Sequence, residues 1–179
     1  MLKLENENAI LYCMGRSGSK SLSKRILGYN YAKVFNDLNN DNAERLSFFT
    51  RPESIKHSSR QQILVIRNPK ERFLSGNALW ELSAKPLNAP QYASYHTFMT
   101  YHGAPILHKI PLDGDFKILP FERLSEYCEP IGTDPKLTGR GVWKQEYEDL
   151  YDWDNEMLLY SSIMKKDIIT LDEFNKCFS

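Results

Sequence analysis

The sequence predicts an α/β fold in which helices cover both faces of a parallel sheet. Two segments carry this prediction. Ile10 to Leu22 (ILYCMGRSGSKSL) and Ile63 to Gly76 (ILVIRNPKERFLSG) each read as an apolar strand, a polar basic turn and the start of a helix. Strands that alternate with helices imply βαβ connections, hence parallel pairing and three layers. The third observation is bulk composition. A chain of 179 residues with 41% hydrophobic content can bury roughly 70% of its unfolded surface. It is expected to form one domain over residues 1–179.

The elements follow in order. Ala9 to Met14 is a short apolar run and reads as a central strand. Gly15 to Ser19 is its turn, and Ser19 to Leu27 a short helix. Tyr31 to Phe35 is a candidate strand, Asn36 to Asn42 a polar loop, Ala43 to Phe49 a helical turn, and Arg51 to Arg60 a loop. Ile63 to Ile66 has the β-branched and leucine residues of a strand buried on both faces. The next helix has a start signal: Asn68 as cap, Pro69 at the first position, and Glu71 completing a capping box. Leu74, Ala78 and Leu82 recur along it, with Phe73 and Trp80 beside them. Lys85 to Gln91 carries the prolines that end it.

Tyr92 to Tyr101 reads as helix and Gly103 to Gly114 as loop. Phe116 to Leu119 is a strand, followed by a helix from about Glu122 and a polar loop from Glu129 to Gly141. Trp143 to Met164 reads as one long helix, with Tyr147, Leu150, Tyr151, Met157 and Leu158 facing inward. Thr170 and Glu173 form a small capping box.

Charge narrows the partners. Lys plus Arg and Asp plus Glu number 23 each. A neutral total argues against nucleic acid, which needs a basic field. Any anion site must therefore be local. No stretch approaches the roughly 20 apolar residues of a membrane span, and the N-terminal MLKLENENAI lacks the apolar core of a signal peptide. Cys13, Cys128 and Cys177 form no CxxC pair, so no zinc or other metal site is expected. Their odd number fits a reducing compartment, and the expected location is cytoplasmic. Nothing in the pattern specifies an oligomeric state.

Ligands of parallel α/β sheets bind outside the carboxyl ends of the strands, where both basic turns lie. In the first turn, Gly15 and Gly18 allow a tight bend that points amide N–H groups inward, and the helix from Ser19 adds its positive end. Arg16, Ser17, Ser19, Lys20 and Ser21 supply further donors. Lys20-Ser21 matches the end of a Walker A loop, but Met14 and Ser19 stand where its glycines belong. In the second turn, Arg67 emerges at the sheet edge, and Arg72 and Ser75 share a helix face. The planar fork of arginine suits phosphate. The structural alternative pairs Arg67 with a carboxylate such as Glu71.

Together these residues resemble the sulfotransferases that use 3′-phosphoadenosine 5′-phosphosulfate (PAPS). GRSGSKSL, Gly15 to Leu22, resembles the family's modified P-loop, which holds the 5′-phosphosulfate. RNPKERFLS, Arg67 to Ser75, is similar to its Arg-Asn/Asp-Pro-x-x-Arg-x-x-Ser motif, which holds the 3′-phosphate. The Phe-Leu-Ser-Gly that closes the second motif is closest to carbohydrate-directed members. KILPFERL, Lys117 to Leu124, and KLTGRGVWK, Lys136 to Lys144, resemble later family segments less specifically.

The resemblance implies a P-loop NTPase-like sulfotransferase fold and transfer of a sulfuryl group from PAPS to a hydroxyl or amine of a small-molecule or carbohydrate acceptor, leaving adenosine 3′,5′-bisphosphate. It assigns Gly15, Arg16, Ser17, Gly18, Ser19, Lys20 and Ser21 to the 5′ end, and Arg67 and Ser75, with Gly139 and Arg140, to the 3′-phosphate. Arg16 and Lys20 would neutralise charge on the leaving bisphosphate. A general base would take the acceptor proton. His57 ranks first for this, ahead of His102, His108 and Glu81. Trp80, Tyr92, Tyr95 and Tyr101 are candidate acceptor-stacking rings, or core. Two other readings stay open: a P-loop kinase using ATP, and a non-catalytic nucleotide-binding module.

Overall fold

The computed structural model describes residues 1–28, 50–81, 95–131 and 149–179. The expected elements within 29–49, 82–94 and 132–148, and with them Tyr92, Gly139 and Arg140, lie outside the described residues. The chain is an α/β protein with a mostly parallel mixed sheet, four-stranded among the described residues, and flanking helices. Its strands are β1 (Leu2–Glu5), β2 (Ala9–Cys13), β3 (Gln61–Ile66) and β4 (Phe116–Pro120), in the order β1-β2-β3-β4. β2, β3 and β4 are parallel, as expected.

β1 corrects the all-parallel expectation. It pairs antiparallel with β2, Leu2 opposite Cys13 and Glu5 opposite Ile10. The link explains why. The Asn6 side chain accepts bonds from the amides of Asn8 and Ala9, both at 2.9 Å, and closes a tight reversal. So short a connection can only return the chain antiparallel, because a parallel crossover needs a dozen residues or more. Alternation of Leu2 and Leu4 before this asparagine turn was the available signal.

Helices α1 (Ser19–Leu27), α2 (Pro69–Leu79), α3 (Tyr95–His102), α4 (Leu124–Tyr127), α5 (Trp153–Ile163) and α6 (Leu171–Cys177) surround the sheet. Strand alternation divides the core in two. Ala9, Leu11 and Cys13 of β2 pack with Leu22, Tyr127 and Phe174 on one face. Ile10, Tyr12 and Met14 pack with Leu107, Ile110 and Ile163 on the other. Among the described residues, no helix is long and apolar enough to cross a membrane.

Both predicted cap residues are in place, but at α2 the bond from the Glu71 side chain back to the Asn68 amide, which would complete the predicted capping box, is absent among the described residues. Asn68 accepts from the amides of Lys70 and Glu71 at 3.0 and 3.3 Å, with Pro69 at the first position of α2. Thr170 and Glu173 form a reciprocal capping box at α6. The long helix expected over Trp143–Met164 is corrected. Residues 149 and 150 are in a turn, and Asp152 caps a new start by accepting from the Asn155 amide at 3.0 Å. This start sets the helical phase, so Trp153, Glu156 and Ile163 face inward. Leu150 and Leu158, expected inside, are 51% and 70% exposed.

A third cluster joins α2, α3 and α5 through Phe73, Phe98, Met99 and Trp153. The Phe73 ring meets Tyr151 and Trp153 edge-on, with centroids 5.8 and 5.0 Å away. Because Phe73 is fully buried, Phe73→Ala is expected to destabilise the protein by about 3–5 kcal/mol, measured by chemical denaturation. A loss below about 1 kcal/mol would show that the cluster does not tie these helices together.

Candidate functional site

Parallel register brings three strand ends side by side. Cys13 pairs with Val65, and Ile66 with Pro120. The chain therefore leaves β2 at Gly15, β3 at Arg67 and β4 at Phe121 as neighbours, with Arg67 in the middle.

After β2 the chain turns sharply, with the Ser17 amide donating to the Met14 carbonyl at 3.2 Å. Arg16 occupies the third position of this turn in the left-handed region, φ 65°. Glycine is usual there, and another residue held so stores about 1–3 kcal/mol of strain. Two buried or half-buried guanidinium groups hold the turn from behind. Arg67 Nη1 donates to the Arg16 carbonyl at 2.8 Å, and Arg72 Nη1 to the Gly15 carbonyl at 3.4 Å. The Cys13 thiol donates to the Ser17 carbonyl at 3.3 Å.

Gly18 then starts α1 at φ 85°, where an added Cβ would strike Leu124. It offers no side chain to cap the helix, and no acidic residue occupies the first turn. The positive end of the helix is thus not neutralised by its own sequence, which suits an anion. The Ser17 hydroxyl is buried without a hydrogen-bond partner among the described residues.

The two motifs meet directly. Arg16 Nε donates to Ser75 Oγ at 3.1 Å. Arg67 also lies over the Phe121 ring, 4.4 Å from its centroid, a contact that favours a cation. Its Nε is buried and without a partner among the described residues. Burial pulls its pKa down, against the pull of Glu71 and Glu122. No ion pair joins Arg67 to Glu71 or to any other carboxylate among the described residues.

The carboxyl end of α3 completes the site. A Cβ on Gly15 would sit 2.5 Å from the Tyr101 carbonyl oxygen and 3.7 Å from His102 Cα. One on Gly76, the residue after Ser75, would sit 3.0 Å from Gly103 Cα and 3.1 Å from the His102 carbonyl oxygen. Glycine in each motif thus lets the same helix end lie across both. His102 stacks on Phe98 with ring centroids 4.3 Å apart. Burial, then the charges of Arg16 and Arg72, lower its pKa from the ordinary 6.5 to about 4. The imidazole is therefore neutral at pH 7. Tyr101 beside it is 67% exposed.

Gly15, Arg16, Ser17, Gly18, Ser19 and Lys20 all lie in the glycine turn or the first turn of α1, with Lys20 exposed. Ser21 is buried, and its hydroxyl accepts from the Ile131 amide at 3.0 Å, so it faces α1's packing partner. Arg67 and Ser75 join the cluster.

His57 does not. It lines a cavity of about 270 Å³ with Lys56, Gln62, Asp113 and Phe116, at the amino ends of β3 and β4. At about 3.3 Å per strand residue, that is on the order of 15 Å from Arg67. Its place before a strand puts it at the wrong end of the sheet, whereas His102 is brought in by α3. His108 is drawn elsewhere. Its ring bonds the buried carboxylate of Glu156, which also accepts from the amides of Leu107 and His108 at 3.0 Å each.

Trp80 and Tyr95 pack edge-on against each other with centroids 5.6 Å apart, so they serve the core. Arg72 belongs to the second motif and His102 is among the candidate bases in the sequence, but their burial beneath the glycine turn and their approach to it were not legible there. Compared with known proteins, the chain matches no family model, no curated protein and no solved structure.

The His102 shift fixes a pH dependence. Unfolded, the imidazole takes a proton near 6.5; folded, only near 4. Its neutral form therefore contributes stability that is fully present above pH 6.5 and lost as pH falls through about 4, on the order of 3 kcal/mol in all. Denaturation of wild type and His102→Gln at pH 7 and 4.5 should show a smaller acid loss in the variant. Equal losses would place the imidazole in solvent.

Proposed function

We propose that this chain is a PAPS-dependent sulfotransferase, a single domain over residues 1–179 with a P-loop NTPase-like sulfotransferase fold. The observation that carries the reading is the Arg16–Ser75 hydrogen bond. It joins the residue assigned to the 5′-phosphosulfate to one assigned to the 3′-phosphate, with Arg67 between them. PAPS carries anionic groups at both of those ends.

In this reading the glycine turn and the positive end of α1 hold the 5′ end, and Arg67 and Ser75 the 3′-phosphate. The acceptor oxygen forms a bond to sulfur while the bond from sulfur to the bridging oxygen breaks. The bisphosphate leaves with that oxygen, and Arg16 and Lys20 offset its charge. The acceptor proton passes to His102, which replaces His57 in that role because it adjoins Arg16 and is neutral at pH 7. The acceptor is a small molecule or carbohydrate, approaching past Tyr101.

Calorimetry tests the donor. Adenosine 3′,5′-bisphosphate should bind without Mg²⁺. Arg67→Ala and Ser75→Ala should each weaken it about 10- to 100-fold, the range of a hydrogen bond to a charged group, and should weaken AMP far less. Equal loss for both ligands would refute the 3′-phosphate assignment. Mg²⁺-dependent ATP binding with none of the bisphosphate would indicate a kinase instead.

Labelled PAPS with a panel of sugars and phenols tests the chemistry. His102→Gln should lower transfer about 10²- to 10⁴-fold while bisphosphate affinity stays within a few-fold. Undiminished transfer would remove His102 from the mechanism. Tight PAPS binding without transfer by the wild type would mark a binding module.

A further inference from the structure

We propose that Arg72 is the buried charge that powers anion binding at the glycine turn, acting through the backbone without touching the ligand. This rests on the turn binding an anion, as the sulfotransferase reading requires, but not on the identity of the donor.

Arg72 is 3% exposed. Among the described residues its hydrogen bonds go to main-chain carbonyls, those of Gly15 and Ala104. Among the described residues no carboxylate lies within ion-pair distance of it. The largest acidic influence on it is Glu156, whose oxygens are bonded to the Leu107 and His108 amides and the His108 ring. Arg67 acts on Arg72 with the same sign of charge. Tyr151 and Cys13, also close enough to act on it, both have their pKa values raised by burial and stay neutral at pH 7.

A guanidinium deprived of water is normally offset by a paired carboxylate. Here burial lowers the Arg72 pKa only to about 10, so the charge persists at neutral pH. Its field is weakly screened because water and salt are excluded. The Gly15 carbonyl that it grips belongs to the turn that leads into the amino end of α1. An anion seated there would supply a counter-charge closer than the Glu156 carboxylate, which makes no ion pair with Arg72 among the described residues.

The test is titration of the full chain with inorganic pyrophosphate and with adenosine, at low and at physiological salt. Arg72→Met removes the charge and should weaken pyrophosphate at least tenfold, leaving adenosine unchanged. Arg72→Lys keeps the charge but not the fork, and should stay within about threefold of wild type for pyrophosphate, whatever its thermal stability. Glu156→Gln removes the negative charge that acts on Arg72 without an ion pair and should strengthen pyrophosphate two- to threefold, the opposite of what loosening the loop would do.

Equal weakening by the Met and Lys variants would overturn the inference, as would weaker binding by Glu156→Gln or no pyrophosphate binding by the wild type. If Arg72→Met does not fold, the other two variants decide. Pyrophosphate binding that follows this pattern, without binding of the 3′,5′-bisphosphate, would uphold the charge role while refuting the sulfotransferase reading.

Discussion

A left-handed Arg16 is the constraint around which the site is arranged. Its conformation disfavours itself, so the carbonyls on either side of that bend need strong donors. Arg67 supplies one at Arg16, and Arg72 supplies the other at Gly15. Both donors come from the second motif, so the first motif cannot hold its shape without the second. The Arg16 side chain returns the favour by reaching Ser75. Three bonds thus run between two segments far apart in sequence, and none of them uses a carboxylate.

That absence has an electrostatic consequence. The chain as a whole is neutral, with 23 basic and 23 acidic residues. Yet Arg16, Arg67, Arg72 and the amino end of α1 gather at one edge of the sheet, and among the described residues the Arg67 and Arg72 guanidinium groups are directed to carbonyls and an aromatic ring. Carbonyls satisfy the hydrogen bonds of a guanidinium without cancelling its charge. The resulting positive field is local and rests on a neutral background, which favours a compact anion over a long polyanion. Burial first, and then the charges of Arg16 and Arg72, hold the His102 pKa down, so the imidazole beside these cations is neutral at pH 7.

The end of helix α3 lies across this edge. Its last residues pass so close to Gly15 and Gly76 that neither position admits a side chain without displacement. The aromatic cluster beneath, with Phe73 and Trp153 meeting Phe98 and Met99, holds the helix at that distance. Packing within this cluster thereby sets the spacing between the end of α3 and the two glycines.

Much of this was legible in the linear chain. Apolar runs before basic turns marked β2 and β3, and Asn68-Pro69 and Thr170-x-x-Glu173 marked helix starts, because strands and caps are specified by neighbouring residues. The pairing of β1 was missed, since two alternating leucines are too few to stand out. The start of α5 was missed because Asp152 interrupts an apolar pattern that otherwise reads as continuous. Local chemistry by itself determined an α/β chain with two basic turns at strand ends. Tertiary structure alone decided that Arg16 meets Ser75, that Arg72 is buried under the glycine turn, and that His102 rather than His57 stands beside it. Those outcomes depend on strand register and on where α3 packs, distances through space to which sequence spacing is blind.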